Sequence, residues 1–167
     1  MKKLIIGREA RVDIDGHAKG VPAKIDTGAD GSAIWASNIH VNKDNELCFY
    51  LFDETSEFYT GEEIRTKDFT VSDVKSASGH KKLKFCPYLT ITISGVTLRT
   101  RFGLSDRSTH KYPILIGRRT LSEKFLVDVS VDEGLIQPKH ENSRGLRKKL
   151  KENPYKFYKE YYLKEDN

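Results

Sequence analysis

The sequence has few cysteines and no long hydrophobic run. These two features argue against a cysteine-based zinc or redox site and against a membrane-spanning protein. Its 167 residues include only two cysteines. Cys48 and Cys86 form no Cys-x-x-Cys motif, so we expect two reduced thiols that pack as small apolar side chains rather than a zinc or redox site. No stretch reaches the roughly 18 to 20 apolar residues of a membrane span, and the run at 4–6 is too short for a signal peptide. These features predict a cytoplasmic protein with no membrane partner.

Motifs for metals and nucleotides are also missing. The sequence has no His-Glu-x-x-His and no glycine-rich loop that ends in Gly-Lys-Ser or Gly-Lys-Thr. Its histidines are scattered along the chain, at positions 17, 40, 80, 110 and 140. A site that brings His80, His110 and a carboxylate together in space stays open, but we predict no metal and no cofactor.

Basic residues are concentrated at the carboxyl end. Residues 139–167 contain nine Lys or Arg and five Asp or Glu, whereas residues 1–138 contain twenty and nineteen. We predict one domain over 1–138, followed by a basic, tyrosine-rich extension over 139–167 with helices at 142–152 and 155–164. Aromatic rings among lysines are compatible with a nucleic-acid surface. We expect instead an amphipathic helix that packs its rings on protein, and no nucleic-acid partner.

Short apolar stretches separated by turn residues dominate the first domain. Alternation and turn composition predict strands at 10–14, 21–25, 45–52, 65–74, 83–93, 96–104, 113–116, 125–129 and 134–136. A short helix is predicted at 118–124, and the acidic stretch 53–63 has the composition of an exposed loop. Many short strands without alternating helices predict a mostly β fold, a closed barrel or a sandwich, rather than parallel βαβ units.

Asp26-Thr27-Gly28 is the leading candidate for a chemical site. The acid follows an apolar strand, and the small residues Gly28 and Ala29 allow another chain or a substrate to come close to the backbone. A strand end followed by a polar turn is the simpler alternative. About ninety residues later, 114–121 reads as an apolar strand, then Gly117, then a helix start.

These two segments, in this order and at this separation, resemble the retropepsin-like aspartic peptidases. More closely, the chain is similar to bacterial and archaeal retropepsin-like proteins often labelled ATP-dependent zinc proteases, which share the Asp-Thr-Gly-Ala loop, a Ser-x-Ser-Gly-His stretch and a Gly-Arg-Arg segment. The residues themselves support neither the zinc nor the ATP of that label. The resemblance implies a closed retropepsin-like β-barrel with one Asp-Thr-Gly per chain.

The same resemblance implies a homodimer in which two copies of Asp26 hydrolyse a peptide bond. It implies that Thr27 hydrogen-bonds across the dimer, that Arg118 pairs with Asp30, and that Gly28, Ala29 and Gly117 support the loop. The hairpin tip with Ser76, Ser78, Gly79 and His80 occupies the position of a flap over the substrate, or is a plain exposed turn. The implied substrate is a peptide or an acidic protein tail. A non-catalytic peptide-binding module on the same fold is the alternative.

Overall fold

The computed structural model describes residues 3–75, 81–136 and 141–163. Strands dominate this part of the chain, and the helices are short or lie near the carboxyl end. In chain order the elements are β1 Leu4–Ile6, β2 Glu9–Ile14, β3 Ala18–Asp26, β4 Ser32–Val41, β5 Leu47–Leu51, β6 Glu63–Thr66, β7 Phe69–Lys75, β8 Lys81–Ile93, β9 Val96–Ser105, β10 Ile114–Gly117, α1 Arg118–Leu121, β11 Phe125–Val127, α2 Glu141–Glu152 and α3 Pro154–Tyr161.

Six of the strands close into a barrel. Neighbouring strands run in the order β10, β3, β2, β8, β9 and β4, and β4 pairs back with β10 to complete the circle. The β10–β3 and β4–β9 pairs are parallel, and the other pairs in the circle are antiparallel. β5 and β6 extend the sheet from β4, while β7 forms a hairpin with β8. The prediction of a mostly β, closed-barrel fold is confirmed.

Alternating apolar residues explain why these segments form barrel strands. In β2, Ala10, Val12 and Ile14 are buried while Arg11 and Asp13 between them are exposed. Each fully buried Val or Ile stabilises the fold by about 1.5 to 3 kcal/mol relative to an exposed position. A similar alternation in β3 and in the second half of β9 contributes to one hydrophobic core.

β4 is a ten-residue strand that the sequence analysis missed. Ile34, Trp35 and Ala36 are all buried, so the inward–outward alternation that predicts a strand is absent at its centre. Asn38 then adopts a positive φ of 50°, and the pairing with β5 shifts register between Ser37 and His40. The barrel contacts on both faces of the strand, together with this β-bulge, hide its periodicity.

Two predicted strands differ from the structure. The segment 65–74 is not one strand, because a turn separates β6 from β7, with the Asp68 amide donating to Thr66 Oγ1 at 3.0 Å. The segment 134–136 forms no strand either. The Leu135 amide donates instead to the carboxylate of Glu9, at 2.6 Å from Oε1.

Glu9 is a buried carboxylate that ties together three distant parts of the chain. Its side chain accepts the Leu135 amide on Oε1 and the Tyr112 hydroxyl on Oε2, both at 2.6 Å. Only 3% of Glu9 is exposed. Burial and the hydrogen bond to Glu9 raise the pKa of Tyr112 to about 12. We call Glu9, Tyr112 and Leu135 the Glu9 anchor.

The chain divides into two compact units, Met1–Leu135 and Ile136–Asn167. The second unit contains α2 and α3, which contact each other through Lys149, whose ammonium donates to the Tyr161 hydroxyl at 2.6 Å. α3 begins after Asn153, whose side chain accepts the Lys156 amide at 2.9 Å, with Pro154 in its first turn. Among the residues that the structure describes, no helix is both long and apolar enough to cross a membrane.

Candidate active site

Asp26 is the last residue of β3 and lies beside Gly117, its register partner in parallel strand β10. Its Oδ1 accepts the amides of Gly28 at 3.0 Å and Ala29 at 3.2 Å. Two backbone donors on one oxygen fix the orientation of the carboxyl group. The other oxygen, Oδ2, lies 3.7 Å from Lys24 Nζ, and the side chain is 26% exposed. Asp26 is therefore held in place and still open to solvent.

The loop after Asp26, residues 26–32, is fastened to the start of α1 by backbone hydrogen bonds. We call it the Asp26 loop. The Arg118 amide donates to Ala29 O at 2.8 Å and the Arg119 amide to Asp30 O at 3.2 Å. These donors are amides of the first helical turn, which have no partner within a helix. The loop conformation is thus set by the Gly-Arg-Arg segment.

Gly117 is required by close packing at this junction. A Cβ atom at this position would lie 2.3 Å from Gly31 O and 2.9 Å from Ala29 O. Its amide donates to Ser32 Oγ at 3.1 Å. Only a residue without a side chain allows β10 to pass this close to the Asp26 loop.

A buried group of hydroxyls continues from Ser32, and the sequence analysis did not identify it. Ser32 Oγ lies 2.8 Å from Thr120 Oγ1, which lies 2.9 Å from Thr100 Oγ1. Ser32 and Thr120 are 6% and 3% exposed. Because the three hydroxyls come from distant parts of the sequence, no local motif marks them. They join the Asp26 loop, α1 and β9 below the site.

Asp30 pairs with both arginines at the start of α1. Arg118 Nη2 lies 2.6 Å from Asp30 Oδ1, and Arg119 Nη2 lies 3.9 Å from Oδ2. All three side chains are more than half exposed, so these ion pairs are weak, typically contributing about 0 to 1 kcal/mol. The pairing implied by the family resemblance is present, on the surface next to the loop.

Thr27 and Gly28 lie at the exposed tip of the Asp26 loop. Their backbone comes directly after the carboxyl group, and the Gly28 amide already donates to it. Thr27 is thus exposed to solvent next to Asp26. An exposed threonine at this position is available for a contact with a second molecule.

A cleft of about 670 Å³ opens beside the loop, between it and the arms of the β7–β8 hairpin. Its walls include Ala29 and Asp30 from the loop and Thr70 from β7. Among the described residues, seven charged side chains line the cleft. Two are acidic, Asp30 and Asp73, and five are basic: Lys84, Arg99, Arg101, Arg107 and Arg119. Burial lowers the pKa of Arg107. The cleft therefore has the charge to receive an acidic ligand.

The predicted hairpin is present, with Lys75 of β7 paired to Lys81 of β8. Ser76, Ser78, Gly79 and His80 connect the two strands and lie outside the described residues. Both arms of the hairpin line the cleft, with Thr70 to Asp73 from β7 and Lys84, Cys86 and Tyr88 from β8.

Potential metal ligands come together elsewhere, on β4, β5 and β6. His40, Cys48 and Glu63 place their ligand atoms within 4.8 Å of one another. Cys48 was expected to be only a packed apolar side chain, and it is buried at 1% exposure. None of these residues lines the cleft beside the Asp26 loop.

A closed six-stranded barrel that carries an Asp-Thr-Gly loop against a Gly-Arg segment has the retropepsin-like fold. The sequence profile of the RimB-like family, described as retropepsin-like aspartic endopeptidase RimB, matches residues 5–140. The chain belongs to this family. The description names an aspartic endopeptidase and does not carry the zinc-protease label.

A solved structure supports the fold. The chain is similar to a protein of unknown function (DUF785) from Legionella pneumophila subsp. pneumophila, with a TM-score of 0.61 and 22% identity, over 78% of this chain and 96% of the other. A search of curated proteins found no match. At this level of identity the solved structure supports the fold and not a shared activity.

Proposed function

We propose that the protein is an aspartic peptidase that works as a homodimer, with Asp26 of each copy forming one catalytic pair. The observation that carries the proposal is the Asp26 carboxyl group, held on Oδ1 by the amides of Gly28 and Ala29 and open to solvent. The family is one of aspartic endopeptidases, which supports hydrolase chemistry at the level of the family. One chain supplies one such loop, so a second copy is needed to complete the pair.

The chemistry follows from bringing two carboxyl groups together. Two carboxyls at hydrogen-bonding distance do not both ionise readily, so the pair shares one proton. The ionised Asp26 takes a proton from a bound water, which attacks the carbonyl carbon of the peptide bond. The protonated Asp26 of the second copy donates its proton to the carbonyl oxygen. The resulting gem-diol then collapses, and the amine leaves after accepting a proton.

Thr27 and the hairpin have supporting roles in this proposal. The exposed Thr27 side chain is available to hydrogen-bond to the loop of the second copy and hold the two carboxyls in register. The β7–β8 hairpin, whose connection contains Ser76, Ser78, Gly79 and His80, closes over the substrate and excludes water. The cleft between the Asp26 loop and the arms of the hairpin supports this role.

The substrate in this proposal is an extended peptide with acidic side chains. Among the described residues, five basic and two acidic residues line the cleft beside the loop. Such a surplus attracts carboxylates and disfavours lysine-rich peptides. Glutamate-rich peptides are therefore the first substrates to offer, with lysine-rich peptides of equal length as the matched comparison.

Asp26→Asn is the first test of the catalytic pair. Removing the ionisable group should lower the cleavage rate by at least about 10³-fold, because neither base nor acid remains. Asp44→Asn, an exposed acid on the β4–β5 turn, is the control and should cleave normally. If Asp26→Asn cuts as fast as the wild type, the peptidase proposal is wrong. If no variant cuts any peptide but all bind one, the peptide-binding module is correct.

Mixing the two proteins tests the homodimer. After subunit exchange in an equal mixture, only dimers with two intact copies of Asp26 cleave, so activity should be about one quarter of that of wild type at the same total concentration. Independently active monomers would give about one half. A metal chelator should leave the rate unchanged while circular dichroism confirms that the protein stays folded.

A further inference from the structure

We propose that His40, Cys48 and Glu63 form a zinc site at the outer edge of the sheet. The three residues come from consecutive strands, β4, β5 and β6, and their ligand atoms lie within 4.8 Å of one another. Thiolate, imidazole and carboxylate are the three ligand types that zinc takes in proteins. Tetrahedral coordination places ligand atoms about 3.5 Å apart, so a small inward movement of the side chains is sufficient.

Strand pairing explains how the ligands meet. His40 is the register partner of Cys48 in β5, and Cys48 is in turn the partner of Arg65 in β6. Directly paired residues project on the same face of a sheet. Glu63 lies two residues before Arg65 and so shares that face.

The β-bulge in β4 puts His40 into this position. Register shifts between Ser37 and His40, at the point where Asn38 has a positive φ of 50°. Bulges re-aim side chains and are common next to functional sites. Without the extra residue, the strand would place the neighbouring side chain opposite Cys48.

Hydrogen bonds to neighbouring groups orient two of the proposed ligands, His40 and Glu63. His40 Nδ1 lies 3.0 Å from Asn38 O. With the Nδ1 proton donated to that carbonyl, Nε2 carries the lone pair that binds a metal, an arrangement usual for metal-bound histidines. Arg65 Nε donates to Glu63 Oε2 at 2.6 Å, which orients the carboxylate and leaves Oε1 to face the metal.

Zinc binding changes the charge and the protonation of this group of residues. Zn²⁺ with one thiolate and one carboxylate is neutral, Arg65 beside Glu63 adds one positive charge, and binding releases the thiol proton of Cys48 to solvent. Affinity should therefore rise with pH. A water molecule completes the fourth position, since three protein ligands are available.

The proposed zinc site is separate from the Asp26 loop, because the two lie towards opposite ends of β4. β4 begins at Ser32, whose hydroxyl contacts Gly117, and His40 lies eight residues further along the strand. At about 3.3 Å per residue, Ser32 and His40 are separated by up to about 26 Å along the strand. The metal would join the short edge strand β6 to β5 and β4 without contacting the peptidase site.

Titration of the full-length, metal-free protein with zinc chloride tests the site. We expect one equivalent to bind, and His40→Gln to weaken binding by about 100-fold. His40 is exposed, so this variant should fold normally; His110→Gln, another exposed histidine, is the control and should bind as wild type does. Asp26→Asn should also bind normally, which separates this site from the proposed peptidase site. Absence of stoichiometric binding, or equal loss in both histidine variants, would overturn the proposal.

Cobalt binding tests the thiolate ligand. Co²⁺ should produce a thiolate-to-metal charge-transfer band that is lost in Cys48→Ser and kept in Cys86→Ser. Both cysteines are buried, and neither forms a disulfide. Glu63→Gln should weaken zinc binding while keeping the band. A band that survives in Cys48→Ser, or that disappears in Cys86→Ser, would contradict the assignment of Cys48 as a ligand.

Discussion

The Asp26 loop and the Glu9 anchor each fix a carboxylate with two hydrogen bonds, yet they place it in opposite surroundings. Asp26 is held on one oxygen by two backbone amides, and 26% of its side chain is exposed. Glu9 accepts on both oxygens, from the Tyr112 hydroxyl and the Leu135 amide, and is 3% exposed. The exposed acid keeps one oxygen for a ligand, whereas both oxygens of the buried acid are occupied. Changes to the Asp26 carboxyl group should affect activity, and changes to the Glu9 carboxyl group should affect stability.

Gly117→Ala tests whether the Asp26 loop depends on close backbone packing. The new Cβ would lie 2.3 Å from Gly31 O, which forces the loop and β10 apart. We expect a loss of unfolding free energy of about 3 kcal/mol or more and loss of cleavage activity. Gly103→Ala is the control, because its Cβ would meet its nearest atom at 3.7 Å. Urea unfolding measures both variants, and equal stability for the two would refute the packing argument.

Glu9→Ala tests the anchor. The half-buried Leu135 amide and Tyr112 hydroxyl would lose their acceptor, which should lower the free energy of unfolding by about 1 to 3 kcal/mol. The pKa of Tyr112, raised to about 12 by burial and by Glu9, should move down towards its ordinary value, as absorbance titration of tyrosine would detect. Cleavage by the folded fraction should persist. Unchanged stability would mean that water replaces the lost acceptor.

Asp30→Asn should have the smallest effect. Its ion pairs with Arg118 and Arg119 are exposed, so we expect a change in unfolding free energy below about 1 kcal/mol. A double-mutant cycle with Arg118→Gln, measured at low and high salt, isolates the pair. A coupling above about 2 kcal/mol would show that Asp30 belongs with the buried residues of the loop and not with the solvated ones.

Local patterns predicted much of the barrel. β2 and β3 alternate inward and outward residues, and this alternation predicts that Val12 and Val21 are core positions. The Asp-Thr-Gly and Gly-Arg segments indicate where the loop lies. β4 was missed because burial on both faces around Trp35 and the bulge at Asn38 remove the alternation. The strand predicted at 134–136 is absent because Leu135 donates to a distant carboxylate instead of a neighbouring strand.

The sequence by itself determined the mostly β class and the positions of the Asp-Thr-Gly and Gly-Arg-Arg segments, because strand periodicity and short motifs are local properties of the chain. Only the tertiary structure decided which distant residues meet. Hydrogen bonds connect the hydroxyl groups of Ser32, Thr120 and Thr100. One face of the sheet carries His40, Cys48 and Glu63. Register and closure of the barrel set these contacts, and both depend on packing across the whole domain, which no short segment of sequence encodes.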